Sequence, residues 1–145
     1  MKYVLDCSLV ADWFAPGLLS SPVDRVLSDI KSGKIEAHAP DLLKIEFGHF
    51  LSKRVRRRDM SRDGAGEAWA DFLMLPIEFH SVGPSAQSAF ELAITQHATI
   101  YDGCYVALAA EIGGLVLTSD EGMSNAFANG GLVRLVGDGF EVDGA

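Results

Sequence analysis

Apolar and polar positions along the chain fall into short blocks with two different periods. KYVLD at 2–6 is a β-rich run that ends in an aspartate. KIEAHA at 34–39, PIEFHSV at 76–82, LVLTS at 115–119 and LVRLV at 132–136 are further short strand-like runs. Between them the apolar spacing changes to three and four, the helical period. Ser8 is placed to cap a short helix through Phe14. In SSPVDRVLSDIKSG, Ser21 reads as N-cap, Pro22 as N1 and Asp24 as N3, with a stop at Gly33. Pro40 and Asp41 open a long helix to about Arg58, and Ser61 caps another to about Met74. Ser85 starts a helix to about His97. YDGCYVALAAEI, from Tyr101 to Ile112, is a helix that Gly113 and Gly114 stop. DEGMSNAFA is a short helix, and the tail GDGFEVDGA, from about 137, is expected to be loosely ordered.

Five strand-like runs alternate with helices and no internal repeat or long linker divides them, which predicts one α/β domain. Parallel strands need crossovers, and right-handed crossovers put helices on both faces. The expected architecture is a three-layer α/β/α sandwich with a five-stranded parallel sheet. Ligands of such sheets bind at the carboxyl ends of strands, near a topological switch.

Composition adds bounds. The 145 residues are 48% apolar and 22% charged, ordinary values for one globular domain with a real core. No run approaches the roughly 18 apolar residues of a membrane span. Asp6 and Asp12 interrupt the N-terminal segment, which lacks a signal-peptide pattern, so a cytoplasmic protein is expected. Cys7 and Cys104 are too few for a disulfide framework and read as buried free thiols. The net charge of −8 argues against indiscriminate nucleic-acid binding. Lys44, Lys53, Arg54, Arg56, Arg57, Arg58 and Arg62, however, supply seven of the twelve basic residues. That asymmetry points to an anionic partner for one short region.

The acidic residues carry the candidate chemistry. Asp6 closes the first strand and Asp120 follows LVLTS, so both sit at strand exits. In DLLKIEFGHFL, Leu43, Phe47 and Phe50 form an apolar stripe, and Glu46 falls inside its arc. A carboxylate there requires a partner, either a salt bridge or a metal ion. Asp102 flanks the stripe Tyr101, Cys104, Tyr105, Leu108 and Ile112, and a helix cap accounts for it alone. Residue 105, three further on, is Tyr, so no capping box starts there. Gly103 beside it leaves space for a substrate backbone. Four carboxylates on one edge repel one another unless positive charge arrives or one holds a proton. A hard divalent cation such as Mg²⁺ is one solution. His38, His49, His80 and His97 form no HxxxH, and no CxxC is present, so a zinc site is not expected.

VLDCS with Asp6, LLKIEFGHFL with Glu46, IYDGCYVALA with Asp102 and LVLTSD with Asp120 together resemble a PIN-domain ribonuclease of the VapC type, the toxin of a toxin–antitoxin pair. The order and separations of these motifs fit that family across nearly the whole chain. The resemblance implies that Asp6, Glu46, Asp102 and Asp120 form an acidic pocket for Mg²⁺ or Mn²⁺, with Ser8 and Thr118 as hydroxyls beside them. Glu121 stands where relatives often have a basic or polar residue. The resemblance also implies an RNA substrate (tRNA, rRNA or mRNA), a VapB-like antitoxin that pushes a basic side chain toward the acids, and a homodimer. KRVRRR, with Lys53, Arg54, Arg56, Arg57 and Arg58, ends the helix that carries Glu46 and lies about 16 Å along it. It reads either as an RNA contact or as cations that complement a helix C-terminus. Trp13 and Phe14 line the site, a partner surface or the core. Two other classes remain open: a phosphatase or phosphotransfer domain, which would want a second acid at Ser8, and an inactive PIN fold that serves only as a binding module.

Overall fold

The computed structural model describes residues 1–14, 22–137 and 139–142. The Ser21 cap lies outside the described residues. Five strands, β1 (Lys2–Leu5), β2 (Glu36–Pro40), β3 (Ile77–His80), β4 (Leu115–Thr118) and β5 (Val133–Leu135), form one sheet in the order β3-β2-β1-β4-β5. All four pairings are parallel. The chain fills β1, β2 and β3 toward one side, then returns to place β4 on the other side of β1. The topological switch therefore lies between β1 and β4, where α/β sheets open a crevice.

Among the described residues, seven helices cover this sheet: α1 (Cys7–Trp13), α2 (Pro22–Lys31), α3 (Leu42–Arg56), α4 (Arg62–Leu73), α5 (Ala86–Thr95), α6 (Ile100–Ile112) and α7 (Glu121–Ala126). The result is the expected α/β/α sandwich. Tyr3, Val4 and Leu5 of β1 and Val116 and Leu117 of β4 are almost completely buried, as befits central strands covered on both faces. Phe14, Phe47, Trp69, Phe72 and Phe79 form an aromatic chain that ties α1, α3 and α4 to β3. Trp13 Nε1 donates to the Val23 carbonyl at 2.8 Å, which joins α1 to α2. Trp13 and Phe14 therefore pack the core.

Several local expectations change. Asp6, not Ser8, caps α1: its carboxylate accepts from the Leu9 amide. Pro40 does not open α3; it ends β2, opposite His80. Helix α6 begins at Ile100 with Thr99 as N-cap, so Asp102 is its third residue and the cap lies three positions upstream. The α6 core is not a stripe: Gly103 to Ala109 are all buried, while Tyr101 is 58% exposed. The helix is enclosed because it lies between the sheet and α5. Gly113 ends it in the left-handed conformation, φ 70°. Gly103 faces α5: a Cβ there would stand 2.6 Å from the Ala89 carbonyl oxygen. Its smallness serves helix–helix approach, not a substrate. In the tail, Val142 is buried and Phe140 packs on the core. Among the described residues, no helix is long and apolar enough to cross a membrane.

Candidate active site

The switch between β1 and β4 is where the acidic motifs meet. Asp6 leaves β1 and Thr118 ends β4; the two strands are neighbours, and the Asp6 amide donates to the Leu117 carbonyl at 3.3 Å. Asp6 is 5% exposed. Its Oδ1 accepts from the Leu9 amide at 3.0 Å, Ser8 Oγ reaches both carboxylate oxygens at 2.9 Å, and Thr118 Oγ1 donates to Oδ2 at 2.6 Å. Ser8 Oγ also accepts from the Ser119 amide at 3.2 Å. Thr118 Oγ1 in turn accepts from the Asp120 amide at 3.0 Å. Ser8 and Thr118 thus form a hydroxyl cradle that fixes one buried carboxylate and orders the chain leading to the next.

Asp120 caps α7 and accepts from the Gly122 amide at 2.8 Å, with its residue surface exposed. Asp102 is half-buried in the first turn of α6, where Thr99 Oγ1 accepts from its amide at 3.1 Å. Glu46, on α3, is half-buried and accepts from the Tyr105 hydroxyl at 2.9 Å. That bond gives a buried tyrosine its partner and answers the question of what meets Glu46 inside the apolar arc. Among the described residues, no lysine or arginine pairs with any of the four acids.

The acids perturb one another through Asp102. Burial pushes the Asp6 carboxyl up to about 6, against the lowering effect of its hydroxyl and amide donors, and the charge of Asp102 adds to the rise. Burial also raises Glu46, with Asp102 again contributing. Asp102 is raised by burial and then by Asp120. Asp102 is therefore the residue that each of the other three acids touches electrostatically. Cys7, which follows Asp6, is pushed up to about 12 by burial and the charges of Glu46 and Asp6, so it stays a thiol.

No three of the four acids bring ligand atoms within 4.8 Å of one another. The four acids themselves offer only carboxylate oxygens, with the Ser8, Thr118 and Tyr105 hydroxyls bonded to Asp6 and Glu46. Such a donor set suits a hard cation that keeps several of its waters, and no imidazole or thiolate stands among the four. KRVRRR is held apart from it. Phe47 stacks on Trp69 and meets Phe72 at a tilt, so the first half of α3 packs against the second half of α4, and the basic run occupies the end of α3 and the turn of that helical hairpin. Lys53, Arg57 and Arg58 are exposed there; Arg54 lies over the Phe50 ring, 5.6 Å from its centroid.

The chain is 35% identical over 131 residues to Ribonuclease VapC3 of Pyrobaculum aerophilum, a match that spans 88% of this chain and 95% of that protein. It belongs to the VapC family of PIN-domain ribonucleases. No family model matches the chain. Solved VapC structures share the fold: VapC20 of Mycobacterium tuberculosis, described as a sarcin–ricin loop cleaving toxin, superposes with a TM-score of 0.64 at 16% identity, over 86% of this chain and 94% of that one. A toxin–antitoxin complex from Klebsiella pneumoniae gives 0.62 at 12% identity, over 97% and 99%.

Two features of this region escape a reading of the sequence. Tyr105 reads as packing, yet its hydroxyl holds Glu46. Thr99 caps α6 through the spacing Thr-x-x-Asp, a signal present in ATIYD but obscured by starting the helix at Tyr101. A third surprise lies outside the region. The histidines form no HxxxH, yet His38, Glu78 and His80 bring ligand atoms within 4.8 Å of one another. Local spacing rules do not see residues joined by strand pairing.

Proposed function

We propose that this chain is an endoribonuclease that hydrolyses RNA phosphodiester bonds and serves as the toxin of a toxin–antitoxin pair. The observation that carries this reading is the cluster of acids at the β1–β4 switch, where Asp6 sits in its hydroxyl cradle, Tyr105 holds Glu46 and, among the described residues, no lysine or arginine pairs with Asp6, Glu46, Asp102 or Asp120. The names carried by the similar proteins, a ribonuclease, a sarcin–ricin loop cleaving toxin and a toxin–antitoxin complex, agree with it. When bound, Mg²⁺ or Mn²⁺ supplies positive charge for the phosphoryl oxygens and lowers the pKa of a water. Asp6 and Asp102 would hold the ion, and Asp120 would complete the ligand set. Glu46, anchored by Tyr105, either joins that set or orients the attacking water. Ser8 and Thr118 keep the Asp6 carboxylate in one orientation. The water oxygen bonds to phosphorus in line, the bond to the 3′ oxygen breaks, and that oxygen takes up a proton. The products are a 3′-hydroxyl and a 5′-phosphate.

The partners follow from the same charge. A VapB-like antitoxin that sets a cationic side chain into the acidic cluster competes with the ion and silences the enzyme. The chain acts as a homodimer in the cytoplasm, and Lys53, Arg54, Arg56, Arg57 and Arg58 on the hairpin turn contact RNA phosphates. The test is incubation with a panel of tRNA, ribosomal RNA and mRNA in Mg²⁺ or in EDTA, repeated with Asp6→Asn and Asp102→Asn. Cleavage is expected only in Mg²⁺ and only with the unmodified chain. Cleavage that survives EDTA or either substitution overturns the carboxylate mechanism. Turnover of phosphomonoesters without cleavage of any RNA would instead assign a phosphatase.

A further inference from the structure

The two strands at one side of the sheet carry the same four-residue pattern, IEAH at 35–38 and IEFH at 77–80. Alternation puts Glu36 and His38 of β2 on one face, and Glu78 and His80 of β3 on one face. The parallel register sets His38 opposite Glu78 and Pro40 opposite His80, so all four side chains share a single face. Phe79 points to the other face, into the aromatic chain.

The contacts within this group are specific. His38 is 2% exposed. Its Nε2 lies 2.8 Å from Glu36 Oε1, and its Nδ1 lies 2.9 Å from His80 Nε2 and 3.6 Å from Glu78 Oε2. Glu36 is exposed, and its carboxylate, which has no hydrogen to give, accepts from His38. His38 therefore carries its hydrogen on Nε2 and leaves a bare lone pair on Nδ1. Three donors, His38 Nδ1, His80 Nε2 and Glu78 Oε2, then converge from two neighbouring strands. A carboxylate behind a ligating imidazole is the arrangement that fixes ring and tautomer at zinc centres.

We propose that His38, His80 and Glu78 bind one zinc-class transition-metal ion, with Glu36 as the outer carboxylate on His38. Two imidazoles and a carboxylate, with a fourth position open to water past the exposed Glu78, match a tetrahedral zinc set. Zinc–nitrogen bonds of 2.0–2.1 Å in a tetrahedron need the two nitrogens about 3.3 Å apart. The observed 2.9 Å is the closed state, in which a proton on His80 Nε2 bridges to His38 Nδ1. Binding moves the His80 proton to its Nδ1, frees Nε2 for the metal, and opens the pair by a few tenths of an ångström. The ion clamps β3, an edge strand with a single neighbour, to β2. It shares no residue with the acidic cluster and differs from it in chemistry, nitrogen-rich where the four acids offer only oxygen.

The experiment uses the full chain, stripped with EDTA, dialysed and titrated with ZnCl₂ alone, followed by calorimetry and by thermal unfolding; Co²⁺ replaces Zn²⁺ for a visible absorption band. One equivalent of Zn²⁺ is expected to bind and to raise Tm by at least about 4 °C. His80→Ala and Glu78→Gln should each weaken binding at least about tenfold. The pair Asp6→Asn and Asp102→Asn should leave it unchanged, which separates this site from the acidic one. Glu78 is exposed and its replacement leaves the fold intact, so that variant decides the matter if His80→Ala unfolds. Absence of zinc binding by the unmodified chain overturns the proposal, as does binding that persists in Glu78→Gln or disappears in the Asp6/Asp102 variant.

Discussion

Two places on one sheet, its centre and its β3 side, gather polar groups in opposite ways. At the β1–β4 switch, no three of the four carboxylates bring ligand atoms within 4.8 Å of one another. At the β2–β3 side, two imidazoles and a carboxylate close to within that distance, and the two rings touch at 2.9 Å. The first group is assembled by elements distant in sequence: β1, α3, α6 and the exit of β4. The second is assembled by two adjacent strands in register. Carboxylates spaced in this way suit a hard ion that keeps several of its waters, as a reaction on a phosphate group needs. Two imidazoles and a carboxylate drawn this close suit a zinc-class ion. Spacing, rather than residue type alone, separates a place for turnover from a place for holding.

Substitution at either place puts this contrast under the most strain. Asp102→Asn should lower RNA cleavage by on the order of 10²–10³-fold or more, because the other three acids are all coupled to it. Zinc uptake by the same variant should match the unmodified chain. His80→Ala should do the reverse: zinc uptake lost, cleavage in Mg²⁺ within about twofold. A variant that damages both would show that the two places are one system.

The pH dependence tests the acidic cluster alone. The Asp6 carboxyl is pushed up to about 6 in the folded chain from an ordinary value of 3.8. The folded state therefore holds a proton more tightly than the unfolded one. The stabilisation from protonated Asp6 is full below about pH 4 and is lost as pH rises through about 6. In EDTA, Tm should rise on acidification from pH 7 toward 5, by an amount on the order of 1 kcal/mol in unfolding free energy. Asp6→Asn should flatten that rise.

Two milder changes mark the boundary between the two places. Gly103→Ala pushes α6 from α5, because its Cβ would stand 2.6 Å from the Ala89 carbonyl. It should cost about 1–3 kcal/mol of stability and reduce cleavage through Asp102, with zinc affinity unchanged. Replacing Arg56, Arg57 and Arg58 with alanine should weaken RNA binding and reduce the salt dependence by about 1 in log–log slope for each phosphate no longer neutralised. An unchanged slope would remove the hairpin turn from the RNA surface.

The acidic cluster is largely legible in the sequence because its signals are local. A strand that ends in aspartate, a carboxylate inside an apolar arc, and TSD after a strand each survive translation into the fold. What those signals do not contain is the wiring. Asp6 capping α1 and the Tyr105–Glu46 bond depend on elements meeting in space. Tyr101 falls on the predicted stripe and is exposed, since α6 is enclosed on most sides and a periodic pattern loses meaning there. The β2–β3 side is invisible to spacing rules because its histidines are 42 residues apart. The repeated IExH is in plain view, but only the register of two parallel strands turns it into one group.

Asp6 joins chemistry to architecture in a way that bears on how such a chain accumulates mutations. Its carboxylate holds the Leu9 amide, the Ser8 and Thr118 hydroxyls, and with them the start of α1 and the end of β4. An alanine there strips partners from buried donors and loosens the sheet at its switch. Asp120, exposed at the mouth, carries no such load beyond one helix cap. Inactive alleles selected to escape toxicity should therefore accumulate as stable, abundant protein when they fall on Asp120, and as scarce, degraded protein when they fall on Asp6. The antitoxin would still find a folded target in the first group and little to bind in the second.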